Sequence, residues 1–248
     1  NNAPITEEAG MGTRTPLVSI LIPNYNHSRY LDRCIQSALA QTWPNTEILL
    51  LDNQSADASL EAASRYAPQG VRVNRNVANI LNRSYRVLSE ELANGEFLLL
   101  MGADDAIEPT FVEKAVRIMQ DHPQVGYVHV ERDFMDEQGN TIELDPFFNC
   151  SFVAPGRSVM PIYMVTTIAH PAQGLVRRSA LERIEGYQRE VDHMNAHKSL
   201  WFYLSSVSDY AYIREKLCRI RVSANNQTAL TRQNFQHPVL CHMIINEF

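Results

Sequence analysis

Asp104 and Asp105 stand side by side after an apolar run, FLLLM, and a small pair, Gly102-Ala103. Two carboxylates delivered to one point by a buried strand suit a hard divalent cation, because such ions take oxygen ligands and keep some of their waters. The plainer alternative is that an aspartate ahead of Pro109 only caps a loop. Two further polar points share this context. Pro23-Asn24-Tyr25-Asn26 follows the run LVSILI at 17–22, and Asp52-Asn53 follows EILLL at 47–51.

Apolar runs of five or six residues read as strands buried on both faces. The segments between them have helical spacing. Ser28 caps a helix in which Leu31, Cys34, Ile35, Ala38 and Leu39 share a face. Ser55 or Asp57 caps a second, ending near Tyr66. A third covers 79–93 and closes at Asn94-Gly95, and Pro109 opens a fourth that ends near Asp121. Residues 71–73 and 96–101 complete the strands. The alternation implies an α/β fold, a mostly parallel Rossmann-type sheet flanked by helices. In such sheets ligands bind beyond the carboxyl ends of the strands, so the three polar points converge on one rim.

Composition excludes several classes. The 248 residues, 45% of them apolar, are enough for one large domain core or two small ones. A net charge of −6 argues against a nucleic-acid partner. No apolar run approaches the ~20 residues of a transmembrane helix, and the opening NNAPITEEAGMGTRT has no signal-peptide core. With no initiator Met, residues 1–15 read as a linker or tag remnant of a processed or excised segment. Cys34, Cys150, Cys218 and Cys241 form no C-x-x-C pair, so neither a zinc site nor a disulfide framework is expected, and a reducing cytoplasm fits. The turn PNYNHS lacks the glycines of a dinucleotide site, and G-x-x-x-x-G-K-[ST] is absent. A receiver domain would carry its acidic pair after the first strand. A divalent cation holding phosphates is the natural use that remains.

At this point the residues resemble a family. VSILIPNYNHSRYLDRCIQSALAQTWPNTEILLLDNQSAD is similar to the N-terminal half of family 2 glycosyltransferases, which have the GT-A fold. Pro23, Tyr25 and Asn26, then Leu31, Ser37, Leu39, Gln41 and Thr42, then Asp52 carry the likeness. Asn76-Val77-Ala78-Asn79 and Asn82 resemble the family's Asn-x-Gly…Asn segment, and FLLLMGADD resembles the strand ending in Asp-x-Asp. The resemblance covers residues 16–120.

It implies transfer of a sugar from a nucleoside diphosphate-sugar to a hydroxyl, with inversion, and Mn²⁺ or Mg²⁺ offsetting the charge on the departing diphosphate. It puts Pro23, Tyr25 and Asp52 around the nucleotide base. A carboxylate accepts from a uracil or thymine N3–H, so Asp52 favours UDP or dTDP. Asn82 and Arg83 open toward diphosphate or sugar, Arg83 being equally a solvated helix residue. By position Asp104 is the metal ligand, with Asp105 assisting it or binding sugar hydroxyls. The expected acceptor is a glycan or lipid-linked glycan, in surface polysaccharide or glycoprotein glycan synthesis, in the cytoplasm or at the inner face of the plasma membrane.

The departures from the family pattern are specific. Gly102 stands at the first Asp-x-Asp position. Alignment of the acceptor-side helix on HKSLWFYLSSVSDYAYI puts His197 where the family has its catalytic base, and Asp192 lies five residues earlier, so both are candidates. Arg221-Val222-Ser223 replaces Arg-x-His, leaving Arg221 to face the diphosphate or sit on a strand edge. One domain is expected over 16–248: a donor half at 16–122, an acceptor half at 123–232 with a mobile lid at 146–165, and a C-terminal helix at 233–248 that meets a further domain or a second copy. Two other classes stay open. A sugar nucleotidyltransferase would need more basic residues than the Arg29 of PNYNHSRY, and a non-catalytic sugar-nucleotide or glycan-binding module would suit the substituted positions.

Overall fold

The structure, a computed structural model, describes residues 3–4, 14–76, 92–165, 169–184 and 196–223. Asn82, Arg83, Asp192 and the helix expected at 233–248 lie outside the described residues, as does nearly all of the helix expected at 79–93.

The apolar runs at 17–22 and 47–51 become β2 (Val18–Asn24) and β3 (Thr46–Asp52), with β1 (Ala3–Pro4) ahead of them. Strands β4 (Val71–Arg75), β5 (Phe97–Leu100), β6 (Ala106–Ile107) and β7 (Val125–Met135) follow. The last four are β8 (Thr141–Ile142), β9 (Phe152–Ala154), β10 (Gly174–Arg177) and β11 (Asp209–Arg221). All join one sheet in the order β1-β9-β11-β7-β10-β5-β2-β3-β4, with β6 on β11 and β8 on β7. The run β4-β3-β2-β5 is parallel throughout, as the alternating pattern requires, and β11 is parallel to β7. Strand β10 is antiparallel to both its neighbours, β5 and β7.

Period-two alternation explains why both faces are covered. Val18, Ile20 and Ile22 of β2 and Ile48 and Leu50 of β3 pack beneath α1 (Ser28–Leu39), α2 (Ser59–Ser64) and α3 (Phe111–Asp121). Leu21, Leu49 and Leu51 face the opposite core, with α4 (Met160–Val165), α5 (Arg178–Glu182) and α6 (Ala196–Val207). Helix α1 buries Leu31, Cys34, Ile35 and Ala38, the face read from spacing. Of the expected caps, the Asp57 carboxylate does accept a first-turn N–H of α2, whereas Ser28 is the first residue of α1 and not its cap. His27 and Ala58 occupy the N-cap positions of α1 and α2 without side-chain bonds, and Asp57 serves both helices by accepting from Ser28 N and Ser59 N, each at 3.0 Å. Burial alone would raise the Asp57 pKa, but the donors on Ser59 and Ser28 outweigh it and bring it down to about 2.

The segment 146–165 is not the lid expected of it. Strand β9 pairs with both β11 and β1, and Gly156 sits so close to the backbone of Ser205 and Ser208 that a Cβ would lie 2.1 Å from Ser208 O. The loop ahead of β9 is tied down as well, because Leu144 N donates to Asp133 at 2.9 Å and Phe147 N to Glu131 at 2.6 Å. Among the described residues no helix is long and apolar enough to cross a membrane.

Candidate functional site

The loops after β2 and β3 are laced together. Asn24 Nδ2 donates to Asp52 Oδ1 at 2.9 Å and to Ser55 Oγ at 3.0 Å, and Ser55 N donates to Asp52 Oδ2 at 3.1 Å. Asn26 adds two bonds, from its N–H to Ser55 Oγ at 3.0 Å and from Ala56 N to its Oδ1 at 2.8 Å. It holds φ at 57°, the left-handed conformation that asparagine tolerates better than most residues. This lattice presents Tyr25 outward, 39% exposed, beside half-buried Pro23. Asp52 itself is fully buried, with each carboxylate oxygen holding one internal donor. A carboxylate has about four acceptor sites, so capacity remains for another donor. A shallow groove continues from Ser55 along the outer side of α2 to Arg65.

The loop after β5 is built differently. Asp105 is buried, and its backbone N–H closes a tight turn onto Gly102 O at 3.0 Å. Its Oδ1 accepts from Arg221 N at 3.0 Å, whereas its Oδ2 is buried with no hydrogen-bond partner. Burial, then the charge of Asp104, pushes the Asp105 carboxyl well above the usual range. Asp104 is half-buried. Gly102 explains how both carboxylates fit. A Cβ there would lie 2.7 Å from Asp105 Oδ2 and 3.0 Å from Asp104 Oδ1, so the two side chains turn toward the space that the family's first aspartate would fill.

His170, which sequence reasoning missed, closes the other side. Its Nδ1 lies 3.5 Å from Asp105 Oδ2. Burial, partly opposed by Asp104, pulls its pKa down to about 4, so a neutral imidazole faces the carboxyl. His170 is held by Gln173, whose Oε1 accepts from His170 N at 2.7 Å and whose Nε2 donates to Val130 O at 2.9 Å. A lone histidine before Pro171, with no partner nearby in sequence, gives no signal of this.

These residues fit a divalent cation. The donors are hard carboxylate oxygens, and one of them is a buried acceptor without a donor. Among the described residues no three His, Cys, Asp or Glu side chains cluster, so an ion here would take one or two protein oxygens and complete its shell with phosphates and water, as Mg²⁺ commonly does.

On the acceptor side, α6 begins at Ala196, which puts the backbone of His197 in its first turn; its side chain is outside what is described. Trp201 and Phe202 are core residues. Trp201 is fully buried and packs so closely on Gly174 that a Cβ there would lie 2.3 Å from the indole. Arg221 is 4% exposed, and its guanidinium turns inward.

Residues 19–185 match the family described as "Glycosyl transferase family 2". Over 229 residues, 90% of the chain, the sequence is 26% identical to chondroitin synthase of Escherichia coli, of which it covers 31%. The chain therefore spans about a third of that relative's length. Among solved structures, the fold is similar to the mannosyltransferase PcManGT from Pyrobaculum calidifontis in complex with GDP-Man and Mn²⁺, with a TM-score of 0.67 and 19% identity over 95% of this chain and 66% of that one. It is equally similar to S. aureus TarS 1-349 in complex with UDP-GlcNAc, with a TM-score of 0.67 and 17% identity over 86% of this chain and 60% of that one. At these identities the two structures speak to the fold, a GT-A α/β sheet flanked by helices.

Proposed function

The chain belongs to glycosyl transferase family 2, and on that premise we propose that it moves a sugar from a UDP- or dTDP-sugar to a hydroxyl of a glycan or lipid-linked glycan, with inversion. The product would be a bacterial surface polysaccharide or a glycoprotein glycan, made in the cytoplasm or at the inner face of the plasma membrane. One observation carries the reading: the outward Tyr25, the buried Asp52 and the Asp104–Asp105 pair, with its partnerless oxygen, follow neighbouring strands at one end of the parallel sheet. That end is where open α/β sheets take their ligands.

In this reading Pro23 and Tyr25 flank the base, and Asp52 spends its remaining acceptor capacity on a pyrimidine N3–H. Asn82 and Arg83 reach the diphosphate or sugar. Asp104, assisted by Asp105, holds Mn²⁺ or Mg²⁺, which when bound offsets the charge growing on the departing diphosphate. Residues 123–232 supply the acceptor side, where His197 or Asp192 takes the proton of the attacking hydroxyl. A polysaccharide role is supported by the likeness to chondroitin synthase. The TarS and PcManGT complexes, with UDP-GlcNAc and with GDP-Man and Mn²⁺, support a nucleotide-sugar donor and a divalent ion without naming the donor.

A thermal-shift screen of nucleoside diphosphate-sugars with Mn²⁺ present, followed by release of free diphosphate on adding acceptor glycans, tests the proposal. A donor that binds but never turns over would favour a glycan-binding module, the reading that Gly102 and Ser223 support. The base is assigned by comparing kcat for His197→Ala and Asp192→Asn. Loss of a positioned base costs roughly 10²–10⁴-fold, and a base at His197 makes activity fall below about pH 6.5.

A further inference from the structure

Arg221, the last residue of β11, ties four parts of the molecule to one point. Its backbone N–H donates to Asp105 Oδ1 at 3.0 Å and its Nε to Asp104 O at 3.0 Å. One terminal nitrogen, Nη1, donates to Asp136 O in the turn between β7 and β8, and the other, Nη2, approaches Met135 Sδ at 3.5 Å. The guanidinium carbon lies 4.1 Å from the ring centre of Tyr30 in α1. Helix α1 meets the same turn independently, through Arg33 Nη1 to Gly139 O at 3.1 Å. A planar, permanently charged group whose edge meets carbonyls while its face lies on an aromatic ring is held in one orientation.

From this geometry we infer that Arg221 is a positioning residue. It fixes the loop that carries Asp104 and Asp105 against α1 and the 136–140 turn, and acts on the donor's diphosphate only through those carboxylates. This replaces the sequence-derived alternative in which Arg221 meets the diphosphate itself. It rests on the donor-and-metal reading above. The physical reason is that the ends of this loop are held by other groups, Cys34 Sγ on Gly102 O before the aspartates and the pairing of β6 with β11 after them, whereas the bonds to Asp104 O and Asp105 Oδ1 at its middle come from Arg221. Supporting groups that lock a ligand in place act on affinity for the ion and on rate, and are not read by the nucleotide.

Calorimetry with UDP as the probe, with and without Mn²⁺, together with Mn²⁺ binding by electron paramagnetic resonance, separates the two roles. For Arg221→Lys, UDP affinity without metal should stay within about twofold of the parent. The gain in UDP affinity on adding Mn²⁺ should fall about tenfold, since lysine keeps the charge but loses the planar, stacked fork. Tyr30→Leu should shift the same gain in the same direction by less, and it serves as the test should Arg221→Lys fail to fold by circular dichroism. In an Asp104→Asn background, Arg221→Lys should take nothing further from the Mn²⁺ gain. Equal weakening of UDP binding with and without Mn²⁺ would mean direct phosphate contact and would overturn the inference, as would an unchanged Mn²⁺ gain. A parent chain that binds neither UDP nor Mn²⁺ would instead overturn the donor-and-metal reading.

Discussion

The loops that follow β3 and β5 each deliver an aspartate to the same end of the sheet, yet they treat it in opposite ways. Asp52 is partnered from within: Asn24 and Ser55 each donate to one of its oxygens, and in return it locks two loops together. Asp105 is equally buried but keeps one oxygen without a donor, while Asp104 beside it stays half-open. A buried carboxylate with partners organises its surroundings at little cost, and one without partners raises the free energy of the protein until something positive arrives. In the proposed function the first aspartate builds the frame and the second pair receives the cation. Sequence position alone cannot make this distinction, because both are strand-end acids.

Substitution should separate the two most sharply at Asp104. Asp104→Asn keeps the shape and removes the charge, so kcat should fall on the order of 10²–10³-fold, the scale of losing one charge-stabilising group, with an unchanged melting curve. A variant that turns over normally in EDTA would erase the contrast. Asp52→Ala should do the reverse. It strands Ser55 N and half the bonding of Asn24, so chemical denaturation should report a loss of about 1–3 kcal/mol, and nucleotide affinity should fall with it.

The same contrast extends into the interior of the second half. His129 is fully buried in the ring cluster of Tyr127, Trp201 and Tyr210, and its Nε2, like Trp201 Nε1 and Tyr210 OH, has no partner. Burial, reinforced by Arg132, holds its pKa down to about 3. Between pH 6.5 and 3 the unfolded chain therefore binds a proton that the folded chain refuses. Stability must fall as the pH falls through that window, by up to about 1.4 kcal/mol per unit. His129→Gln should flatten that part of the slope in urea titrations at pH 7, 6 and 5, and an unchanged slope would remove His129 from the account. The smallest effect is expected at Asp57, which supports the frame from outside. Asp57→Ala leaves the first turns of α1 and α2 short of an acceptor and should cost about 1 kcal/mol of stability with donor affinity intact.

Much of the first half was legible because its signals are local. LVSILI and EILLL can hardly be anything but buried strands, and the face of α1 follows from residues three and four apart. The Asp pair announced itself by adjacency. Partnerships across the fold were not legible. Asn24 and Asp52 are 28 residues apart, and Arg221 lies 116 residues from Asp105. His170 reaches Asp105 only because β10 folds back beside β5. Strand β10 is GLVR, four residues with no apolar–polar alternation, and its antiparallel insertion depends on the neighbours that receive it. The aromatics of α6 were ambiguous for a related reason: a stripe of Trp and Phe looks alike whether it faces a sugar or Gly174.

That late insertion also sets a schedule. Seventy-four residues separate Leu100, the end of β5, from Gly174, the start of the strand that covers its far edge. At roughly 5–20 residues per second, a ribosome needs about 4–15 s to make them. For that interval FLLL has β2 on one side and an open row of backbone donors and acceptors on the other, the kind of edge to which foreign strands add. A nascent chain stalled before residue 174 should therefore depend on chaperones far more than the finished one.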